Sequence, residues 1–134
     1  MSARRTACLV PILALAWLAP LESRAAPVSF PRAPAFAAVY PGSYVDRSGW
    51  SNTRTGREGY YGFATRDRIA VVVRFYRALA SDSGLTSQPI PLGGRRPVFR
   101  AKGPRGDLSI FSDPTTQNRL YIQVVWTESK RARP

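Results

Sequence analysis

Between Arg68 and Leu85 the apolar residues Ile69, Val72, Val73, Tyr76, Leu79 and Ala80 follow i, i+3, i+4, i+7, i+10, i+11, the series of one helical face. Read with a period of two, the same stretch has no clean face, and no turn residue breaks it from Arg68 to Ala80. Asp67 is placed to cap the first free amides, and Gly84 to take the left-handed conformation just past the end. The run Val71–Val73 lowers helix propensity by at most about 0.7 kcal/mol per residue. Each buried aliphatic side chain returns roughly 1.5–3 kcal/mol, so the spacing predicts a helix of about four turns. Val71 and Phe75 widen its apolar arc to roughly 200°, where one buried stripe needs ~100°. Arg74, Arg77 and Ser81 hold a narrow wet side. A sheet alone does not cover such a helix, so the 30–40 segment, the 85–97 loop or a partner must cover the remainder.

A period of two governs the rest of the chain. Leu120, Ile122, Val124 and Trp126 fall on one face of a strand, and Tyr121, Gln123, Val125 and Thr127 on the other. Tyr44, Val45 and Trp50 suggest a first strand, bulged at Gly49. Gly56–Gly59 marks a turn, and Tyr60–Thr65 the returning strand, rich in aromatics. Residues 85–97, LTSQPIPLGGRRP, form a long Pro/Gly loop. VFRAKGPRGDLSIF reads as a hairpin turning at Gly103–Asp107, and SDPTTQN as a second turn. The order β-β-α-β-β-β predicts an α+β fold: an antiparallel sheet of four to five strands with one amphipathic helix packed on one face.

The beginning of the chain breaks both periods. MSARR is basic, TACLVPILALAWLAP apolar, and LESRA ends on small residues, the three parts of a secretory signal peptide. Ser23 and Ala25 place cleavage after Ala25. The apolar run is too short to span a bilayer comfortably and is interrupted by Pro11 and Pro20. The expected organisation is a signal peptide at 1–25, a Pro-rich segment at 26–42, an α+β domain at 43–128 and a basic disordered tail at 129–134. No transmembrane segment is expected after cleavage, and the expected location is the periplasm or the medium. Cys8 lies within residues 1–25, so no disulfide is available to the mature chain, and its core must hold the fold alone.

Charge adds a candidate function. Setting aside Arg4, Arg5, Glu22 and Arg24 leaves 17 basic and 7 acidic side chains, a balance of +10. Every base except Lys102 and Lys130 is arginine, whose planar fork suits phosphate and carboxylate. A convergent anion-binding surface would draw on Arg95, Arg96, Arg100 and Lys102 from the loop and third strand. Arg47, Arg54 and Arg57 from the first hairpin would join them. The bland alternative is a scattered, individually solvated set spelled as arginine by genomic bias. A second candidate surface is the sheet face turned away from the helix. Tyr121, Val125 and Phe111 would stand there, edged by Arg100 or Arg119.

Three blocks also resemble a diffuse group of small bacterial exported or lipoprotein α+β domains: YPGSYV at 40–45, Thr65-x-Asp67, and VVVRFYRALASDSGL with Phe75-Tyr76, Leu79 and Gly84. Those domains carry Tyr-Pro-Gly, a strand ending in Thr, and a helix with Phe-Tyr-x-x-x-Leu closed by Gly-Trp. Here Leu85 stands in place of the Trp. The resemblance implies an envelope-accessory role and brings no catalytic residues.

Catalysis has little to build on. The chain has no His, which excludes Ser-His-Asp, Cys-His and His-ligated metal chemistry. Asp67, Asp82, Asp107 and Asp113 sit at expected caps and turns. Asp46 and Glu58 across the first hairpin are the pair left for a two-carboxylate hydrolase. Gly93-Gly94-Arg95-Arg96 lacks the strand–loop–helix setting of a phosphate loop. Arg105-Gly106-Asp107 is ordinary turn chemistry as well as an adhesion tripeptide. The expectation is a non-enzymatic binding module without metal or cofactor, contacting an anionic envelope component or an acidic protein surface. An exported nucleic-acid binder or an unrecognised hydrolase is the alternative.

Overall fold

A computed structural model describes residues 33–115 and 117–130. The expected signal peptide, residues 26–32 and residues 131–134 lie outside the described residues. The fold is a mostly-sheet α+β fold. A 3-10 turn, Ala35–Ala37, is followed by strands β1 (Val45–Thr53) and β2 (Gly56–Thr65) and helix α1 (Ile69–Asp82). Strands β3 (Thr86–Ser87), β4 (Phe99–Gly103), β5 (Gly106–Pro114) and β6 (Leu120–Ser129) complete it. All six strands form one antiparallel sheet in the order β1-β2-β6-β5-β4-β3. The sheet thus has six strands, not four to five. The addition is the two-residue β3, which pairs Thr86 with Lys102 and Ser87 with Ala101.

The alternation read in β6 is the alternation found. Ile122, Val124 and Trp126 are buried, together with Tyr61 and Phe63 from β2, Leu108 and Ile110 from β5, and Phe99 and Ala101 from β4. Helix α1 covers this face through Val72, Tyr76 and Ala80. Its end is a Schellman closure. Gly84 has φ +76°, its amide donates to the Ser81 carbonyl at 3.0 Å, and the Leu85 amide donates to that of Ala80 at 2.8 Å. The second flank of the wide apolar arc is covered by the segment before β1. Phe36, Ala37, Val39 and Tyr40 are buried, and the Tyr40 ring meets Phe75 edge to face, 5.3 Å between centroids.

Several local expectations fail for identifiable reasons. Asp67 does not cap α1. The cap position is Arg68, with no side-chain hydrogen bond, because the Asp67 carboxylate accepts from the Tyr40 hydroxyl instead. The bulge in β1 lies between Val45 and Arg47, not at Gly49. The first turn falls at Arg54-Thr55, leaving Gly56–Gly59 inside β2. There the glycines make room. A Cβ on Gly59 would stand 2.4 Å from the Trp126 ring, and one on Gly56 would stand 1.8 Å from the Glu128 carbonyl oxygen. Two residues assigned to the tail, Ser129 and Lys130, are instead held by the sheet. Ser129 belongs to β6, and the Lys130 amide donates to the Thr55 carbonyl at 2.8 Å.

Candidate functional site

The register of the sheet maps its outer face, the one opposite α1, as a grid. One row runs Arg100, Ser109, Val125, Tyr60, Gly49; the next runs Phe111, Gln123, Gly62, Arg47. Tyr121 lies over Gly62, and its hydroxyl donates to Asp46 at 2.8 Å. Burial first and the Asp46 carboxylate second hold the Tyr121 hydroxyl above the usual tyrosine range. The Phe111 ring is covered by the Arg95 guanidinium at 4.8 Å from its centroid. Arg95 also donates to Gln123 Oε1 at 2.8 Å and to Asp113 Oδ2 at 2.5 Å. Of the three outer-face candidates, then, Val125 is the one that opens onto a cleft. That cleft, about 410 Å³, is shared with Tyr60, Glu58, Gln123 and Thr127. Tyr60, 43% exposed, was missed in the sequence; only its register opposite Val125 reveals it.

The basic candidates do not converge. Arg47 belongs to edge strand β1 and Arg100 to β4, with β2, β6 and β5 between them. Four strand spacings of ~4.8 Å put them roughly 19 Å apart, beyond a Debye length of ~8 Å at physiological salt. Arg54 lies in the β1–β2 turn. Arg57 points to the helix side of the sheet. It makes two 2.9 Å bonds to the Glu128 carboxylate and lies 6.0 Å from the centre of the Trp126 ring. Lys102 stands opposite Asp107 in the β4–β5 backbone register, three strands from the first hairpin. The candidates Arg95 and Arg96 part company: Arg95 crosses the outer face, and Arg96 turns towards α1.

Arg96 meets two arginines that the sequence reading left on the wet side. Where the 85–97 loop comes back along α1 it touches the helix incompletely, leaving a cleft of about 700 Å³. Its apolar floor is Ile69, Val73, Ile90 and Val98; Arg74, Arg77 and Arg96 stand around it. No acidic residue lines it. Among the described residues the ion pairs are Arg57–Glu128 and Arg95–Asp113, so these three guanidiniums are not neutralised by a carboxylate there. Arg77 rests 5.6 Å from the centre of the Phe99 ring. The two helical arginines were legible as a surface stripe, but nothing in the linear pattern showed that residue 96 folds back beside them.

A third, polar recess of about 320 Å³ joins two of the sequence blocks. Tyr40 and Gly42 from YPGSYV face Thr65 and Asp67, beside Arg66 and Arg119. Burial, then the hydrogen bond to Asp67, pushes the Tyr40 hydroxyl up to about 12. The Asp67 amide donates to Thr65 Oγ1 at 3.1 Å. The blocks fasten the segment before β1 to the entry of α1.

The remaining carboxylate pair is poorly placed for hydrolysis. Glu58 is opposite Ser51, while Asp46 sits in the bulge, five residues along β1. At ~3.4 Å per residue that is roughly 17 Å, against about 5–10 Å between glycosidase carboxyls. No group of three His, Cys, Asp or Glu side chains among the described residues is arranged to hold a metal ion. Comparisons with protein-family models, with curated proteins and with solved structures return no match to this chain.

Proposed function

We propose that this chain is an exported, non-enzymatic binding domain, periplasmic or secreted, that serves as an accessory of the bacterial envelope and engages an anionic partner. The observation that carries this reading is the α1–loop cleft, with Arg74, Arg77 and Arg96 around an apolar floor and no carboxylate in its lining. Three guanidiniums held without a counter-charge favour an anion, each charge-assisted hydrogen bond contributing about 1.5–3 kcal/mol. The signal-like start of the sequence supports export. The resemblance of residues 40–85 to exported domains points the same way. Among the described residues no helix is long and apolar enough to cross a membrane. No metal or cofactor enters this reading.

The nucleic-acid alternative ranks lower because stacking of bases needs free aromatic faces beside basic groups. On the outer face, Arg95 already covers Phe111 and Tyr121 is tied to Asp46, so of these three rings only Tyr60 stands open, too little for a run of stacked bases. A hydrolase is disfavoured by the separation of Asp46 from Glu58.

Co-sedimentation of the mature chain with phosphatidylglycerol vesicles, with phosphatidylcholine vesicles as control, tests the reading. Binding is expected to the anionic vesicles, weakening steeply from low to physiological salt as the Debye length falls from about 30 Å to 8 Å. Arg74→Glu with Arg96→Glu should abolish it, and Arg95→Glu should leave it largely intact. Equal binding to both vesicle types, or none to either, would overturn the reading.

A further inference from the structure

Resting on that reading, we infer that the α1–loop cleft holds an anionic lipid by its acyl chain as well as its head: one chain lies along the floor of Ile69, Val73, Ile90 and Val98 while Arg74, Arg77 and Arg96 grip the charged group.

Two features of one cavity point to this ligand. An apolar floor alone would suit any greasy contact, and a trio of arginines alone any anion. Here they share about 700 Å³, within the ~300–1,000 Å³ of ligand clefts. Ile90 is 43% exposed at the loop side of the floor, and Ile69 and Val73 are half-buried on the helix side. This is apolar surface that the fold leaves wet although it covers the opposite flank of α1 with Phe36, Val39 and Tyr40. The arginine stems extend the apolar walls while their heads stay at the rim. A ligand apolar along its body and negative at one end satisfies both parts. A free inorganic anion would leave the floor wet, and an uncharged chain would leave three guanidiniums unmatched.

The chain direction follows from α1. Val73, Arg77 and Arg74 lie progressively further round the helix from the buried Val72–Tyr76–Ala80 face, at ~100° per residue. Apolar contact is therefore deepest at Val73 and Val98, and charge is outermost. The loop carries the same order, with Val98 half-buried and Arg96 exposed.

The test uses dodecyl phosphate below its micelle concentration, titrated by calorimetry and followed by backbone amide shifts. Octyl phosphate, dodecyl maltoside and glycerol phosphate serve as comparisons. Dodecyl phosphate should bind and move the amides of Val73, Ile90 and Val98. Octyl phosphate should bind at least tenfold more weakly, since each buried methylene is worth up to about fourfold. Dodecyl maltoside, with the same chain and no charge, should also lose at least tenfold. Ile90→Asp should weaken dodecyl phosphate at least tenfold with no change in thermal unfolding, because Ile90 lies in an exposed loop position. Glycerol phosphate matching dodecyl phosphate, or indifference to chain length and to Ile90→Asp, would overturn the acyl assignment while the anion-binding reading survives. Absence of binding by both dodecyl phosphate and phosphatidylglycerol vesicles would remove both.

Discussion

The Tyr76 hydroxyl on α1 lies 2.8 Å from the Tyr61 hydroxyl on β2. Tyr61 spends its single proton on the Ala38 carbonyl at 2.7 Å, so Tyr76 is the donor between the two rings. The Tyr76 oxygen in turn takes a hydrogen bond from the Tyr40 amide. The relay links the segment before β1, the helix and the sheet inside an apolar core, where an unmet polar group is costly.

Tyr76→Phe keeps the ring and removes this relay's middle member. The Tyr40 amide loses an acceptor, at a cost of about 1–3 kcal/mol. For a domain near 100 residues, each kcal/mol lowers Tm by ~4–8 °C. The double variant with Tyr61→Phe should cost less than the two single losses combined, because both remove the same bond. Strict additivity in thermal melts would contradict the relay.

Val72→Asp should unfold the domain or cost several kcal/mol, because Val72 is fully buried and an unpaired carboxylate there has no partner. Arg74→Ala, on an exposed position, should shift stability by no more than ~0.5 kcal/mol. Circular-dichroism melts of the two variants check the phase of α1.

Gly56→Ala and Gly62→Ala separate two kinds of close approach. At Gly56 the new Cβ would meet the Glu128 backbone carbonyl at 1.8 Å, and relief requires opening the β2–β6 ladder. At Gly62 it would meet the Tyr121 hydroxyl at 2.0 Å, the far end of a side chain that can swing away. The second change should cost about 1 kcal/mol, the value of the Tyr121–Asp46 bond. The first should cost several times more. Chemical denaturation of both variants gives the ratio.

Stability should fall in alkali, beginning near the ordinary tyrosine range. Tyr40 titrates at about 12 when folded against 10.0 unfolded, and burial also raises Tyr61 and Tyr76. Above pH ~10 the native state holds protons that the unfolded chain has lost, so the slope of unfolding free energy with pH is negative. The contribution is intact below pH ~10 and is lost as pH rises through about 12. Urea midpoints measured across that window should decline, and Tyr40→Phe should make the decline shallower.

The local periods were enough to place α1 and β6, because burial on one face writes directly into the spacing of Val72, Tyr76 and Ala80, or of Ile122, Val124 and Trp126. They left the cover of the wide helix open between the 30–40 segment, the 85–97 loop and a partner; the segment before β1 supplies it on one flank, while the loop leaves a cleft on the other. Glycine misled where its reason was another strand: Gly56 and Gly59 resemble a turn, but they are small because Glu128 and Trp126, some seventy residues on, need the space. Asp67 misled in the same way, its partner being Tyr40 rather than the adjacent helix. The arginines were hardest to read. Arg95 and Arg96 are neighbours in sequence, yet one stacks on Phe111 across the outer face and the other joins Arg74 and Arg77 against the helix. Only the path of the loop decides which is neutralised.

The position of β6 has a consequence for how the chain comes into being. It lies between β2 and β5, yet it follows every other described strand in the chain. Until residues 120–129 have left the ribosome, the first hairpin and the β4–β5 ribbon have no strand between them, and Tyr61, Phe63, Leu108 and Ile110 have no common wall. Isolated two-stranded ribbons are marginal in water. The central joint cannot close before residues 120–129 have emerged, so the nascent polypeptide stays open until then, and a truncation before Leu120 should yield no folded remnant.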